Sequence, residues 1–156
     1  MNRLRAWHLA LLLAPAIYLV NLGALPLQLP DEPREAGVAL EMWHHGPIAA
    51  PRVNGELHVV KPPVMYWAAS VFLALSGEKS PSELAIRLAP ALFSIGSLLL
   101  VLLFGKLWFS FRHGALAACA LALSPEMISH GRRFMSDPAL AFFVTGCVGF
   151  ALTTLR

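Results

Sequence analysis

The sequence predicts an all-α integral membrane protein with about four transmembrane helices and two shorter helices at the membrane surface. Of its 156 residues, 57% are hydrophobic and 13% are charged, against about 45–50% and 25% in average globular proteins. So little charge cannot cover the surface of a soluble protein of this length. Residues 6–30, 88–105 and 138–155 also contain no Asp, Glu, Lys or Arg, and a hydrocarbon core requires about 20 apolar residues.

The transmembrane helices follow from these runs, and we place them at about 7–27, 84–108, 114–128 and 138–155. A secretory signal peptide is the alternative for the first run, because Arg3 and Arg5 precede it. That run is longer than a typical signal core, however, and no clear Ala-x-Ala cleavage site follows it. We therefore interpret it as a retained first span. Pro125 and Glu126 make the third span the weakest of the four.

The loop 28–83 lies between the first two spans, and any chemistry is expected there. Its residues 28–62 form the densest polar region of the chain. Asp31 is a natural N-cap for a helix that Gly46-Pro47 would end. Asn54-Gly55 is the strongest short hairpin signal and predicts a tight turn between two short strands. The net charge of +3 is small and scattered along membrane flanks, so it gives no case for nucleic-acid binding.

Residues 63–76 form an apolar helix that we place at the interface and not across the membrane. Fourteen residues span about 21 Å at 1.5 Å each, which is short of a hydrocarbon core of about 30 Å. This placement brings three polar clusters to one face, and more basic residues lie on that face than beside the N-terminus. An anionic ligand would explain this bias, which is the wrong way round for a cytoplasmic N-terminus. The clusters are Asp31-Glu32-Arg34, Arg52 with Lys61, and Arg132-Arg133-Asp137.

Carboxylates beside fixed cations at headgroup level suit the handling of a phosphorylated lipid, because Lys binds phosphate as a point charge and Arg binds it bidentately. Each residue also has a purely structural interpretation. Asp31 and Asp137 can be helix starts. Lys61 can extend towards headgroups, and Arg132-Arg133 can be a topogenic pair. Arg87 can be a simple interface anchor.

The order of these motifs resembles a known family, the polyprenyl-phosphate-sugar-dependent glycosyltransferases of the GT-C fold. This family includes the protein O-mannosyltransferases and the lipid A aminoarabinose transferases. The resemblance covers about residues 7–143. The matching pieces are residues 31–36, Gly46, Pro51-Arg52, Asn54-Gly55, residues 61–67, residues 87–92, and the Arg132 to Pro138 segment.

The resemblance implies transfer of a sugar from a polyprenyl-phosphate carrier to a hydroxyl or phosphate acceptor on a lipid, glycan or protein, with inversion. It implies a multi-pass inner-membrane protein whose first loop is extracytoplasmic and carries two helices along the membrane. A divalent metal is left open. The implied site residues are Asp31 as catalytic carboxylate, Glu32 as its support, Lys61 on the carrier phosphate with Arg52 or Arg132, and Asp137, Arg34 and Tyr66 as supporting groups, with Asp137 paired to Arg34.

Two alternatives stay open. The first is a non-catalytic, truncated relative that binds lipid phosphate. The second is a transporter-like membrane protein, although a transporter would place ionisable residues near the bilayer midplane. Members of the resembled family are longer, so we expect this chain to be the N-terminal module of a GT-C enzyme. Whether these residues catalyse transfer by themselves is left open.

Overall fold

The structure, a computed structural model, describes residues 13, 15–46, 50–77 and 82–155. Residues 7–12 and 14 of the predicted first span therefore lie outside the described residues. In chain order the elements are α1 (residues 15–19), α2 (Asp31–His45), β1 (Arg52–Val53), β2 (Glu56–Leu57), α3 (Val64–Ser76), α4 (Glu83–Trp108), α5 (Phe111–Ala122), α6 (Pro125–Gly131) and α7 (Asp137–Thr154). The predicted helical class is confirmed, with one short hairpin.

Helix α4 is the central element, and α3, α5, α6 and α7 all pack against it. Its 26 residues extend about 39 Å. Within the described part of the chain, α4 and α7 are the helices long and apolar enough to cross a membrane. They correspond to the predicted spans 84–108 and 138–155.

The predicted third span, residues 114–128, is wrong as a continuous helix. The structure divides it into α5 and α6, with Ser124 extended at φ −63° and ψ 127° between them. Pro125 is the cause, because proline disfavours the helical region for the residue before it and is accepted at a helix start. Helix α5 has 12 residues, about 18 Å, which is short of a hydrocarbon core.

The first helix also ends earlier than predicted. Helical backbone stops at residue 19 and not at residue 27, and turns occupy residues 20–23. Asn21 takes a left-handed φ of 53°, a conformation that ends a helix and that asparagine tolerates better than most residues. The chain then runs without regular structure to α2.

The loop between α1 and α4 matches its prediction in most respects. Asn54 and Gly55 have φ of 53° and 80°, the signature of a type I′ turn, and Arg52 pairs with Leu57 across the hairpin. Gly46, at φ 87°, follows the last residue of α2. Asp31 is not the N-cap, however. Pro30 holds that position, no side chain caps the helix, and Asp31 is the first helical residue.

One buried cluster joins the loop to the membrane helices. Helices α2 and α3 pack on each other, and α3 packs on the first half of α4. Small and medium side chains allow this close approach, and they include Ala36, Ala39, Ala69, Leu73, Ala85 and Ala89. Burial of this apolar surface fixes α2 and α3 relative to α4, and so fixes the polar groups that they carry.

Candidate active site

Asp31 lies at the start of α2 with its carboxylate half exposed, at 47%. Its Oδ1 receives a hydrogen bond from Arg34 Nη2 at 3.0 Å. Position and charge both suit the first turn, where the helix dipole favours an anion. Asp31 therefore combines an accessible carboxylate with one fixed cation. This is compatible with the predicted catalytic role.

Glu32 is buried and fully occupied by donors from the protein. Arg87 Nε donates to its Oε1 at 2.7 Å, and Arg87 Nη2 donates to its Oε2 at 2.9 Å. The backbone N–H groups of Gln28 and Phe134 donate at 2.7 and 2.8 Å. A carboxylate offers about four acceptor sites, so all are used. Burial by itself would raise the pKa of Glu32, but these hydrogen bonds outweigh it and hold the pKa below its usual value.

Arg87 completes this arrangement and is equally saturated. Besides its two bonds to Glu32, it donates to the backbone carbonyls of Leu22 at 3.1 Å, Leu25 at 2.6 Å and Pro26 at 3.0 Å. A guanidinium carries five N–H donors, and all five have acceptors. The interpretation of Arg87 as a simple interface anchor is therefore wrong. The sequence contained a signal for this role, because Arg87 is a charged residue in the first turns of an apolar helix, and such a charge needs a partner.

Glu35 is the acidic residue that sequence reasoning missed, and it is the one that contacts Lys61. Its Oε1 lies 3.2 Å from Lys61 Nζ and 3.4 Å from Arg34 Nη2. The hydroxyl of Tyr66 donates to its Oε2, and His58 Nε2 lies 3.8 Å from Oε1. The available signal was its position, one turn after Asp31 on the same helix face.

The protonation of this cluster follows from its contacts. Burial by itself would raise the pKa of Glu35, but the hydrogen bond from Tyr66 and the charge of Lys61 outweigh it and lower the pKa. Burial, together with the hydrogen bond to Glu35, raises the pKa of Tyr66. Glu35 is therefore an anion beside the neutral phenol of Tyr66, and its negative charge attracts the Lys61 ammonium. The predicted support from Tyr66 takes the form of this hydrogen bond.

Four side chains of alternating charge now form a line, in the order Asp31, Arg34, Glu35 and Lys61. Its two ends are accessible, since the Asp31 carboxylate is half exposed and the Lys61 side chain is 25% exposed. The middle pair is Arg34 Nη2 and Glu35 Oε1. Asp31 and Lys61 thus lie in one connected cluster. They do not contact each other directly, and Arg34 and Glu35 connect them.

Asp137 reaches the same region from α7. It is exposed, and it lines a cavity of about 160 Å³ between the start of α3 and the start of α7, beside Pro62 and Met65. Ser136 holds the N-cap position, and Asp137 begins the helix. The pairing of Asp137 with Arg34 is not seen, since Arg34 contacts Asp31 and Glu35. Asp137 thus shares a cavity with the segment that follows Lys61.

The two predicted helper arginines have other contacts. Arg52 Nη1 donates to the Gly55 carbonyl at 2.8 Å, across the hairpin turn. Arg132 donates to the carbonyls of Ile17 and Val20, where α1 ends, as suits a cation at a helix C-terminus. Among the described residues, neither guanidinium contacts Lys61. No group of three or more His, Cys, Asp or Glu in the described ranges is placed to hold a metal.

Several known proteins similar to this chain share one name. It is 39% identical over 102 residues to an undecaprenyl phosphate-alpha-4-amino-4-deoxy-L-arabinose arabinosyl transferase of Pseudomonas savastanoi pv. phaseolicola, across 64% of this chain and 19% of that protein. It is 31% identical to the enzyme of the same name from Pseudomonas paraeruginosa, across 92% of this chain and 26% of that protein. The chain thus spans about a fifth to a quarter of their length.

Solved structures agree with these relatives. The crystal structure of ArnT from Cupriavidus metallidurans in the apo state matches with a TM-score of 0.85 and 27% identity, over 97% of this chain and 28% of that one. The same protein bound to undecaprenyl phosphate matches with a TM-score of 0.81 over 91% of this chain and 26% of that one. The likeness confirms a GT-C fold in a membrane protein. A family model also matches residues 60–156, and the chain therefore belongs to the dolichyl-phosphate-mannose-protein mannosyltransferase family.

Proposed function

We propose that this chain is the N-terminal module of a membrane glycosyltransferase that moves a sugar from a polyprenyl-phosphate carrier to a hydroxyl or phosphate acceptor. The observation that carries the proposal is the line from Asp31 to Lys61. It places an accessible carboxylate at one end and a partly exposed ammonium at the other, joined through Arg34 and Glu35. The named substrate of the relatives, an undecaprenyl-phosphate pentose, supports the same chemistry.

Asp31 and Lys61, at the two ends of the line, have different roles in the reaction. The acceptor oxygen forms a bond to the anomeric carbon, while the bond from that carbon to the carrier phosphate oxygen breaks. Asp31 takes the proton of the acceptor, since a hydroxyl is a weak nucleophile without a base. Lys61 stabilises the charge that develops on the departing phosphate. Displacement from the opposite face inverts the anomeric centre.

The remaining side chains position these two. Glu32 and Arg87 hold the start of α2 to the turn after α1, to the segment just before α2 and to the segment before Asp137, through the contacts of Leu22, Gln28 and Phe134. Fixed geometry of this kind supplies a large part of enzymatic rate enhancement. Glu32 thus supports Asp31 by holding its helix in place and not by exchanging protons.

The placement in the cell follows the same logic. Loop 28–83, with α2 and α3 along the membrane surface, faces the extracytoplasmic side of the inner membrane, and α4 and α7 cross it. Carrier lipid and acceptor then meet at the boundary where Asp31 and Lys61 lie. The acceptor is a lipid, glycan or protein that presents a hydroxyl or phosphate at that depth.

The test is Asp31→Asn in the full-length protein, with transfer from a polyprenyl-phosphate sugar measured in membrane fractions. We expect transfer to be abolished and membrane insertion to be unchanged, because asparagine keeps the size of the side chain and removes the base. Glu56→Gln, on an exposed carboxylate of the hairpin, is the matched control and keeps activity. Unchanged turnover by Asp31→Asn contradicts the role of Asp31. Carrier binding without transfer in the wild type identifies a non-catalytic relative.

A further inference from the structure

His58 is a buried side chain with an unused polar atom. Its side chain is 10% exposed, and its backbone N–H donates to the Pro51 carbonyl at 2.7 Å. Its ring stands edge-on to Tyr66, with centroids 6.4 Å apart. Nε2 nevertheless has no hydrogen-bond partner among the described residues. Buried polar atoms are nearly always paired, so an unpaired one needs an explanation.

The surroundings of Nε2 are those of the Lys61 cluster. Glu35 Oε1 lies 3.8 Å from Nε2, and Lys61 Nζ lies 3.2 Å from the same oxygen. The Nε2–H tautomer is favoured there, because it points a donor and not a lone pair at the carboxylate. Lys61 and His58 therefore both lie beside one anionic oxygen.

Within the described ranges, this cluster holds more unused donors than unused acceptors. Glu35 Oε2 is taken by Tyr66, and Oε1 is shared by Lys61 and Arg34. Lys61 carries three N–H donors, and its partly exposed side chain opens the cluster to a ligand. An acceptor-rich anion fits such a site. A divalent cation would have to stand beside the charges of Lys61 and Arg34.

We propose that His58 Nε2–H is a second donor, beside Lys61 Nζ, to the phosphate group of the lipid carrier. This inference rests on the proposed function and adds a phosphate-binding residue to it. One phosphate presents several oxygens close together, so two donors that approach a common point can each take a different oxygen. The imidazole thus distinguishes a polyprenyl phosphate from the corresponding alcohol, and its buried nitrogen acquires the acceptor that the protein does not provide.

The test measures binding of farnesyl phosphate and of farnesol to the full-length protein in nanodiscs. We expect His58→Ala to weaken farnesyl phosphate binding about tenfold, the effect of one hydrogen bond to a charged group, and to leave farnesol binding unchanged. His58→Gln keeps an N–H donor and retains most of the affinity. His45→Ala is the matched control, because His45 is exposed and its recorded hydrogen bond within the described residues is to the Glu41 carbonyl of its own helix.

Inorganic phosphate, as a competitor, separates the two possible sources of the anion. If His58→Ala weakens farnesyl phosphate alone, the lipid-linked phosphate is the ligand. If it weakens inorganic phosphate as well, the site takes the anion from either source. Both results support His58 as a phosphate donor, and they differ in whether the lipid tail is needed to bring the phosphate to it.

Other outcomes overturn the inference without touching the proposed function. If His58→Ala binds farnesyl phosphate like the wild type while Lys61→Met does not, His58 is not a phosphate donor and Lys61 keeps its role. Equal losses of farnesyl phosphate and farnesol in His58→Ala and His58→Gln assign a structural role to the ring. If the wild-type protein does not distinguish phosphate from alcohol, the proposed function fails first.

Discussion

Two buried carboxylates lie one turn apart on α2, and each has a basic partner, yet the two pairs have different properties. Glu32 and Arg87 are both enclosed, and every donor and acceptor of the pair is used within the protein. Glu35 is equally buried, but its partner Lys61 is 25% exposed and has spare donors. We call Glu32–Arg87 the closed pair, because it has no free site for a ligand and can only stabilise the fold. We call Glu35–Lys61 the open pair, because its cation can bind a second anion.

The largest effect is expected from opening the closed pair. Arg87→Met leaves the buried Glu32 without its counter-charge and three carbonyls without donors. Loss of one partner of a buried ion pair costs about 3–5 kcal/mol, which is a large part of the stability of a typical domain. We expect the full-length variant to lose its monodisperse peak in detergent and to melt at a markedly lower temperature. A variant as stable as the wild type would show that α2 is held by other contacts.

The matching change in the open pair is expected to act on chemistry and not on folding. Lys61→Met removes a partly exposed ammonium, and Glu35 keeps Tyr66 and Arg34, so melting temperature changes little. Transfer from a polyprenyl-phosphate sugar falls about 10²-fold or more, as when other enzymes lose one group that stabilises transition-state charge. Glu56→Gln again serves as control. If Lys61→Met instead unfolds the protein and Arg87→Met does not, the distinction between the two pairs is reversed.

The smallest effect is expected from Tyr66→Phe, and it concerns how the stability of the open pair depends on pH. Tyr66→Phe removes the hydroxyl that donates to Glu35, at a cost of about 1.5 kcal/mol for a bond to a charged group. Because the folded pKa of Glu35 is lowered, its contribution to stability is present above the usual Glu pKa of about 4.3 and is lost as pH falls through the folded value. In Tyr66→Phe that pKa rises, so thermal melts between about pH 6 and pH 3 should lose stability at a higher pH than in the wild type. Coincident pH profiles would contradict the role of Tyr66.

Much of the fold follows from local patterns in the sequence. Uncharged runs mark α4 and α7, because only apolar residues can face lipid along a whole helix. Asn54-Gly55 gives the hairpin, because both residues must take positive φ. The third predicted span failed because hydrophobicity does not show where the backbone breaks. Pro125 was the decisive residue, and it starts a new helix there instead of weakening the end of an existing one.

The site was predicted less completely than the fold. The accessible ends of the charged line, Asp31 and Lys61, have the residue types and motif context that point to chemistry. Their connection through Glu35 depends on how α2 packs against α3, which no local pattern contains. Glu32 has the same residue type as Glu35, and only tertiary contacts distinguish a saturated acceptor from an exchangeable one. Arg52 and Arg132 show the same limit, since their carbonyl partners cannot be read from composition.

The hydrogen bond from the Phe134 N–H to the Glu32 carboxylate has a consequence for the relative position of two aspartates. Asp31 adjoins Glu32 along the chain, and Asp137 follows Phe134 by three residues, so one buried oxygen serves as the reference point for both aspartates. We therefore expect a change that breaks this hydrogen bond to shift the two aspartates relative to each other.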